Sequence, residues 1–410
     1  MNKFETDGIP AKPPFWFRPE DCRLDDLVRC VDRQTGLADY PLASKVDKQV
    51  LVYDCDRVRA MLAAASPSSS VGAAATSPAI ASLQAEWGRA LLDGPGLVVL
   101  QRASADIDAI DALTREFRAI IDEQHASGAA GGDHFAKPGA NERIWNVQQK
   151  LCLRAPEAFA RYYGNPILAL ICQAWLGPAY QMTAQVNVVN PGGAAQSPHR
   201  DFHLGFMSLQ SAAAFPAHVH RMSALLTLQG AMAHCDMPVE TGPTLYLPYS
   251  QTYPAGYLAY HLPEFRDYFE ANKVQLPLQK GDAVFFNPAL FHAAGHNRTT
   301  DIHRIANLIQ VSSGFGRAME SLDRKQMCKA LYPALLKLRA QGKLSPEQLV
   351  HAVAACAEGY AFPSNLDRDQ PIGGMAPRTQ QETMLDALAG EWPVRQFNDA
   401  LDDKEWRQQG

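Results

Sequence analysis

The triplet His199-Arg200-Asp201 and, far downstream, the lone His292 constrain this chain more than any other feature. Two histidines and one carboxylate are the ligand set of a facial triad, which holds non-haem Fe(II) and leaves positions open on the metal. Residues two apart on a strand share a face, so His199 and Asp201 can point together. The third ligand has to come from a distant part of the chain, which requires a sheet that folds back on itself. Just ahead of His292 lies Gly281-Asp282-Ala283-Val284-Phe285-Phe286, a turn followed by an apolar strand, and beyond it lies Arg304 in an apolar stretch. A buried guanidinium there can clamp a carboxylate in bidentate fashion. A second pair, His234-Cys235-Asp236, has the same spacing. The spacing alone therefore does not choose between the two pairs, since both precede the apolar strand, the distal histidine and the arginine.

Around these residues the hydrophobic period changes twice. Short strand-like runs at 181–190, 222–233, 244–247, 274–278, 283–286 and 304–312 are separated by Pro, Gly and Asn clusters, the pattern of a β sandwich or barrel. Upstream, Ile80, Leu83, Trp87 and Leu91 recur at helical spacing and Gly94 marks a stop. A short buried strand is expected at 97–100. Ile107, Ile110, Leu113, Phe117 and Ile121 then line a second helix with Ser104 as its N-cap. A further helical stretch is expected from 156 to 176, and a Gly-rich loop at 125–139. Residues 1–60 read as irregular. After 318 the pattern is helical again, with Ser345-Pro346 as a helix start. The expected organisation is one domain over 1–318, with a helical N-terminal layer and a β core at about 180–315, and a helical extension over 319–410 packed on that core.

Composition narrows the function classes. Apolar residues make up 47% and charged residues 20% of 410, with a net charge of −5. That balance offers no general attraction for nucleic acid or an anionic membrane. The eight cysteines include no Cys-x-x-Cys pair and read as reduced thiols of a cytoplasmic protein. The N-terminal segment has no signal-peptide pattern. The charge-free run 61–84 is rich in Ala, Ser and Pro, a loop composition and not that of a membrane helix. His218 and His220 alternate with no third ligand nearby, so no zinc site is expected.

From Trp87 to Ser313 the sequence resembles the phytanoyl-CoA dioxygenase family of Fe(II)/2-oxoglutarate oxygenases. The resemblance is carried by His199-Arg200-Asp201 and His292, by Gly94-Pro95-Gly96-Leu97-Val98-Val99-Leu100, by Leu176-Gly177-Pro178, and by Glu240-Thr241-Gly242-Pro243-Thr244-Leu245-Tyr246-Leu247-Pro248. The family continues the last motif as Pro-Gly-Ser-His, where this chain has Pro248-Tyr249-Ser250-Gln251. The resemblance implies a double-stranded β-helix (jelly-roll) core with flanking helices. It implies Fe(II) on His199, Asp201 and His292, 2-oxoglutarate as cosubstrate, and O₂. It makes His234-Asp236 the chance pair. Arg304 is the expected anchor of the cosubstrate carboxylate, with Arg298 as its rival in a polar turn. Gln185 and Asn187, on one face of the strand before the pair, are further cosubstrate candidates. His203 and Gln229 are candidates for the pocket, and Trp145 is expected to pack in the core.

The implied reaction couples decarboxylation of 2-oxoglutarate to succinate and CO₂ with oxidation of an unactivated C–H bond of a small-molecule metabolite. Halogenating relatives carry a small residue at the carboxylate position, so Asp201 argues for hydroxylation or desaturation. Two alternatives stand beside this reading: a cupin-like metalloenzyme, such as an isomerase, that uses no 2-oxo acid, and a non-catalytic metabolite-binding protein of the same fold. No motif identifies the substrate, and no basic cluster suited to a CoA moiety is present.

Overall fold

Alternation along the strands sorts the side chains into layers. The computed structural model describes residues 14–65, 77–128, 139–371 and 373–410. Among them eleven strands form two sheets: β1 (Lys45–Asp47), β2 (Val50–Asp54), β3 (Leu97–Gln101), β4 (Asn141–Ile144), β5 (Gln181–Val189), β6 (Thr227–Ala233), β7 (Leu245–Leu247), β8 (Val274–Gln275), β9 (Ala283–Phe286), β10 (Phe291–Ala293) and β11 (Arg304–Ser312). The major sheet runs β1-β2-β3-β9-β6-β11-β5-β4 and the minor sheet β10-β7-β8. All pairs are antiparallel except β2 with β3. Together they form the expected double-stranded β-helix with helical flanks.

β11, central in the major sheet, shows how the layers arise. Ile305, Ile309 and Val311 face the helices, while Arg304, Ala306, Leu308 and Gln310 face the space between the sheets. The helical side is one continuous apolar cluster. It joins the outer face of the major sheet to helices Pro78–Leu92, Ile107–Ala126, Pro156–Tyr163, Pro166–Leu176, Arg324–Ala340 and Pro346–Cys356. Each fully buried Leu, Val or Phe there contributes about 1.5–3 kcal/mol relative to exposure. A second cluster, including Val99, Tyr246, Leu276, Val284 and Phe286, fills the space between the sheets on one side of the cavity.

Local signals set several helix ends. Ser345 accepts from the amide of Gln348 while the Gln348 side chain caps Ser345 in return, with Pro346 at the first helical position. The helix Ile107–Ala126 is capped by Asp106 and not by Ser104, because the Asp106 carboxylate is the acceptor in reach of the Ala109 amide. The stretch from 156 to 176 is two helices, divided where Asn165 caps a new start at Pro166.

Three further expectations are corrected. Within 1–60, the run Val50-Leu51-Val52-Tyr53 is fully buried and adds β1 and β2 to the major sheet. In 222–233 only the second part is strand; Ala217–Leu225 is a helix, so His218 and His220 are helical, and the His220 ring bonds the Ala212 carbonyl. In 61–84, helices Cys55–Ala64 and Pro78–Leu92 occupy the two ends, and 66–76 lie outside the described residues. So do 129–138 of the expected Gly-rich loop. No helix of the described residues is long and apolar enough to cross a membrane.

Candidate metal centre

The segment carrying the His-x-Asp pair lies along the free edge of β10. His199 donates its amide to the His292 carbonyl at 2.9 Å, His292 returns the bond at 3.1 Å, and Gln196 donates to Ala294 at 2.9 Å. Residues directly opposite in an antiparallel ladder share a face, so the two imidazoles project together, ring centroids 4.5 Å apart. The Asp201 amide then bonds the Pro288 carbonyl at 3.0 Å. Its Oδ1 stands 3.6 Å from His199 Nε2 and its Oδ2 3.3 Å from His292 Nε2. Ligands at right angles about 2.1 Å from a metal stand roughly 3 Å apart, so a small closure of the three groups accommodates an ion.

The electronic state fits as well. Each ring places Nδ1 2.9 Å from the carbonyl two residues earlier, Ser197 for His199 and Leu290 for His292. A carbonyl only accepts, so Nδ1 carries the proton and each Nε2 turns its lone pair toward the site. Burial by itself would raise the Asp201 carboxyl. The facing imidazoles and a hydrogen bond from the Gln229 amide outweigh it and hold the group well below the usual carboxylate range. Two imidazole nitrogens and one carboxylate thus converge, a donor set suited to Fe(II).

Between the ligands, Arg200 points the opposite way and fixes the segment. It is fully buried and donates to the carbonyls of Ser250 at 2.6 Å and Tyr253 at 3.0 Å. Its guanidinium lies 5.1 Å from the ring centroids of Tyr257 and Phe291. Burial pulls its pKa down to about 10, leaving it charged at neutral pH. A Cβ at Gly256 would stand 1.9 Å from Arg200 Cζ, so only glycine admits this packing. The sequence reading missed this anchor, whose only signal was its place between two ligands.

A cavity of about 520 Å³ opens on the triad and is also lined by Arg304, Gln185, Asn187, Gln229 and Trp145. Arg304 is 6% exposed, and its Nη1 is buried with no hydrogen bond among the described residues. Burial lowers it to about 10, so it stays cationic at neutral pH. A buried charge without an opposite charge is strongly unfavourable, and the cavity side is where an anion can reach it. Gln185 Oε1 accepts from Arg143 Nη1 at 3.1 Å, while Asn187 Oδ1 is buried with no partner among the described residues. Arg298 lies exposed in its turn, away from the cavity.

Two pocket expectations change. Trp145 lines the cavity, with the Arg143 guanidinium 5.2 Å from its ring centroid, and is not a core residue. His203 does not share the ligand face: the chain turns through positive φ at Phe202 and His203, and His203 meets Ser223 instead. The departure Tyr249-Ser250-Gln251 lies outside the cavity lining. Tyr249 takes φ +68°, a conformation that favours glycine, and its hydroxyl bonds that of Thr35 at 2.8 Å.

The second pair is built differently. His234 is buried behind the major sheet, with Nδ1 2.8 Å from the Thr114 hydroxyl and Nε2 2.9 Å from the Tyr162 hydroxyl. Asp236 is exposed and accepts from the Lys280 amide.

Comparison with known proteins places this geometry in context. The family model described as Phytanoyl-CoA dioxygenase (PhyH) matches residues 79–306, a span that includes the triad and Arg304. Among solved structures, the epimerase SnoN in complex with Fe3+, alpha ketoglutarate and nogalamycin RO is 17% identical, covering 58% of this chain and 84% of its own at a TM-score of 0.41. The non-heme alpha ketoglutarate dependent carbocyclase SnoK from nogalamycin biosynthesis is 17% identical, covering 56% and 84% at 0.41. EvdMO1 is 18% identical, covering 56% and 50% at 0.40. Among curated proteins none matches the sequence significantly.

Proposed function

Since this chain belongs to the phytanoyl-CoA dioxygenase family over residues 79–306, we propose that it is an Fe(II)- and 2-oxoglutarate-dependent dioxygenase. It hydroxylates, or desaturates, an unactivated C–H bond of a small-molecule metabolite. His199, Asp201 and His292 hold the iron, and Arg304 pairs with the far carboxylate of 2-oxoglutarate, with Gln185 and Asn187 as further polar contacts. The observation that carries this reading is one cavity holding both a preoriented triad and a buried guanidinium with an unmet hydrogen-bonding group.

Bound Fe(II) supplies O₂ activation coupled to decarboxylation of 2-oxoglutarate to succinate and CO₂. The protein's residues prepare the site for it. The Ser197 and Leu290 carbonyls keep both imidazoles in the ligating tautomer. Gln229 holds the Asp201 carboxylate. Met237, Leu276 and Leu278 give the cavity that Arg304 lines an apolar wall, which excludes water and strengthens a pairing with a carboxylate.

Anaerobic addition of Fe(II) and 2-oxoglutarate should produce the weak visible charge-transfer band of the chelate, and air should then yield slow succinate formation. If neither appears, the oxygenase reading fails.

A further inference from the structure

Iron and cosubstrate leave part of the cavity's polar capacity unused, and strand register shows where that part lies. β11 runs from Arg304 past Gln310, and both residues line the cavity. Gln310 sits directly opposite Gln229 of β6, the residue whose amide holds Asp201. The Gln229–Gln310 end is therefore six residues along β11 from the cosubstrate arginine. There the side-chain oxygens of Gln229 and Gln310 are buried and accept no hydrogen bond among the described residues. The Gln229 NH₂ is committed to Asp201, so what it offers is an acceptor.

A cation lines the same cavity. Arg266, from the helix Pro263–Asn272, lines the cavity and donates Nε to the Tyr260 carbonyl at 3.0 Å. Its two terminal amino groups make no hydrogen bond or ion pair among the described residues. Arg143 contributes a second guanidinium, held by Gln185 and set over Trp145. Asp201 is the sole acidic side chain lining the cavity among the described residues, and its charge faces the metal site. A buried acceptor with no donor costs desolvation energy, and a guanidinium fork is shaped for a carboxylate. One ligand can satisfy both.

We infer that the primary substrate is a small organic acid that also carries a hydroxyl or N–H donor. Its carboxylate docks on Arg266, and its donor meets the Gln310 and Gln229 oxygens. This assignment rests on the oxygenase reading, with Arg304 reserved for 2-oxoglutarate.

Calorimetric titration of the full chain tests it, both metal-free and as the anaerobic Fe(II)·2-oxoglutarate complex. The probes are 4-hydroxyphenylacetate, phenylacetate and the neutral 4-hydroxyphenylacetamide. The hydroxylated acid should bind best, with the amide roughly tenfold weaker for loss of a charge-assisted contact and the plain acid several-fold weaker. Arg266→Gln should erase the preference for acid over amide, and Arg266→Lys should restore most of it. Gln310→Leu should erase the preference for the hydroxylated acid over the plain one. The assignment is overturned by equal binding of acid and amide, by a preference for acid that survives Arg266→Gln at an unchanged melting temperature, or by no saturable binding of either acid. Competition between the acids and 2-oxoglutarate would place them on Arg304 and also overturn it. If the wild type gives no chelate band yet the metal-free chain binds acids through Arg266, the cofactor reading falls and the acid-binding site stands.

Discussion

His199-Arg200-Asp201 and His234-Cys235-Asp236 have the same spacing and opposite fates. The first lies along the edge of β10, where its bridge to His292 turns both ligands toward a cavity. The second follows the end of β6, where the chain leaves the sheet: His234 turns into the core against Thr114 and Tyr162, and Asp236 turns to solvent. The residue between them differs as well. Arg200 anchors its segment through two carbonyls and two aromatic faces, whereas the Cys235 thiol lies against the carbonyls of His303 and Ile305. What a two-residue spacing does depends on which backbone its segment pairs with.

The largest expected effects fall on the first pair. His199→Ala, Asp201→Ala and His292→Ala should each abolish 2-oxoglutarate turnover and stoichiometric iron binding, read as succinate formed and metal retained. Full turnover in the first two would move the active centre and break the comparison. Next comes Arg304→Ala. Two charge-assisted hydrogen bonds of roughly 1.5–3 kcal/mol each imply weaker 2-oxoglutarate binding by about a hundredfold or more, with iron binding intact. Arg298→Ala should leave that affinity unchanged; the reverse result would reassign the anchor.

His234→Ala should act on stability and spare the chemistry. It removes one hydrogen-bond partner each from the buried Thr114 and Tyr162 hydroxyls and opens a small void, so we expect a loss of about 1–3 kcal/mol in urea unfolding, with turnover per folded molecule retained. The pH signature of His234 follows from burial, which pushes the imidazole down to about 3, with Lys280 adding to the effect. In the unfolded chain it titrates near 6.5. The stability that the neutral ring contributes is therefore complete above about pH 6.5 and is lost as pH falls toward about 3. His234→Gln should flatten that acid limb; an unchanged limb would mean that other groups carry it. The smallest effect is Asp236→Ala, within about 0.5 kcal/mol and without loss of turnover.

The amino-acid order by itself determined the parts whose signals are local. The His-x-Asp spacing, the distal His292 and an arginine in an apolar strand were legible because ligand chemistry demands those residue types. β9 was legible as a continuous apolar run, β5 by its alternation of polar and apolar residues and β11 as a mostly apolar stretch, and the start at Ser345-Pro346 because a cap lies within three residues of its partner. Tertiary structure decided everything that depends on a distant partner. The strands at 45–54 exist because β3 offers them an edge. Trp145 became a cavity wall, and His203 turned away from the ligand face, through packing that no nearby residue announces. Arg200 and Gln229 gained their roles only when Ser250, Tyr253 and Asp201 closed around them. A local pattern states which contacts a side chain can make, but the folded chain selects among them, because burial makes an unmatched polar group costly and the match comes from far away in sequence.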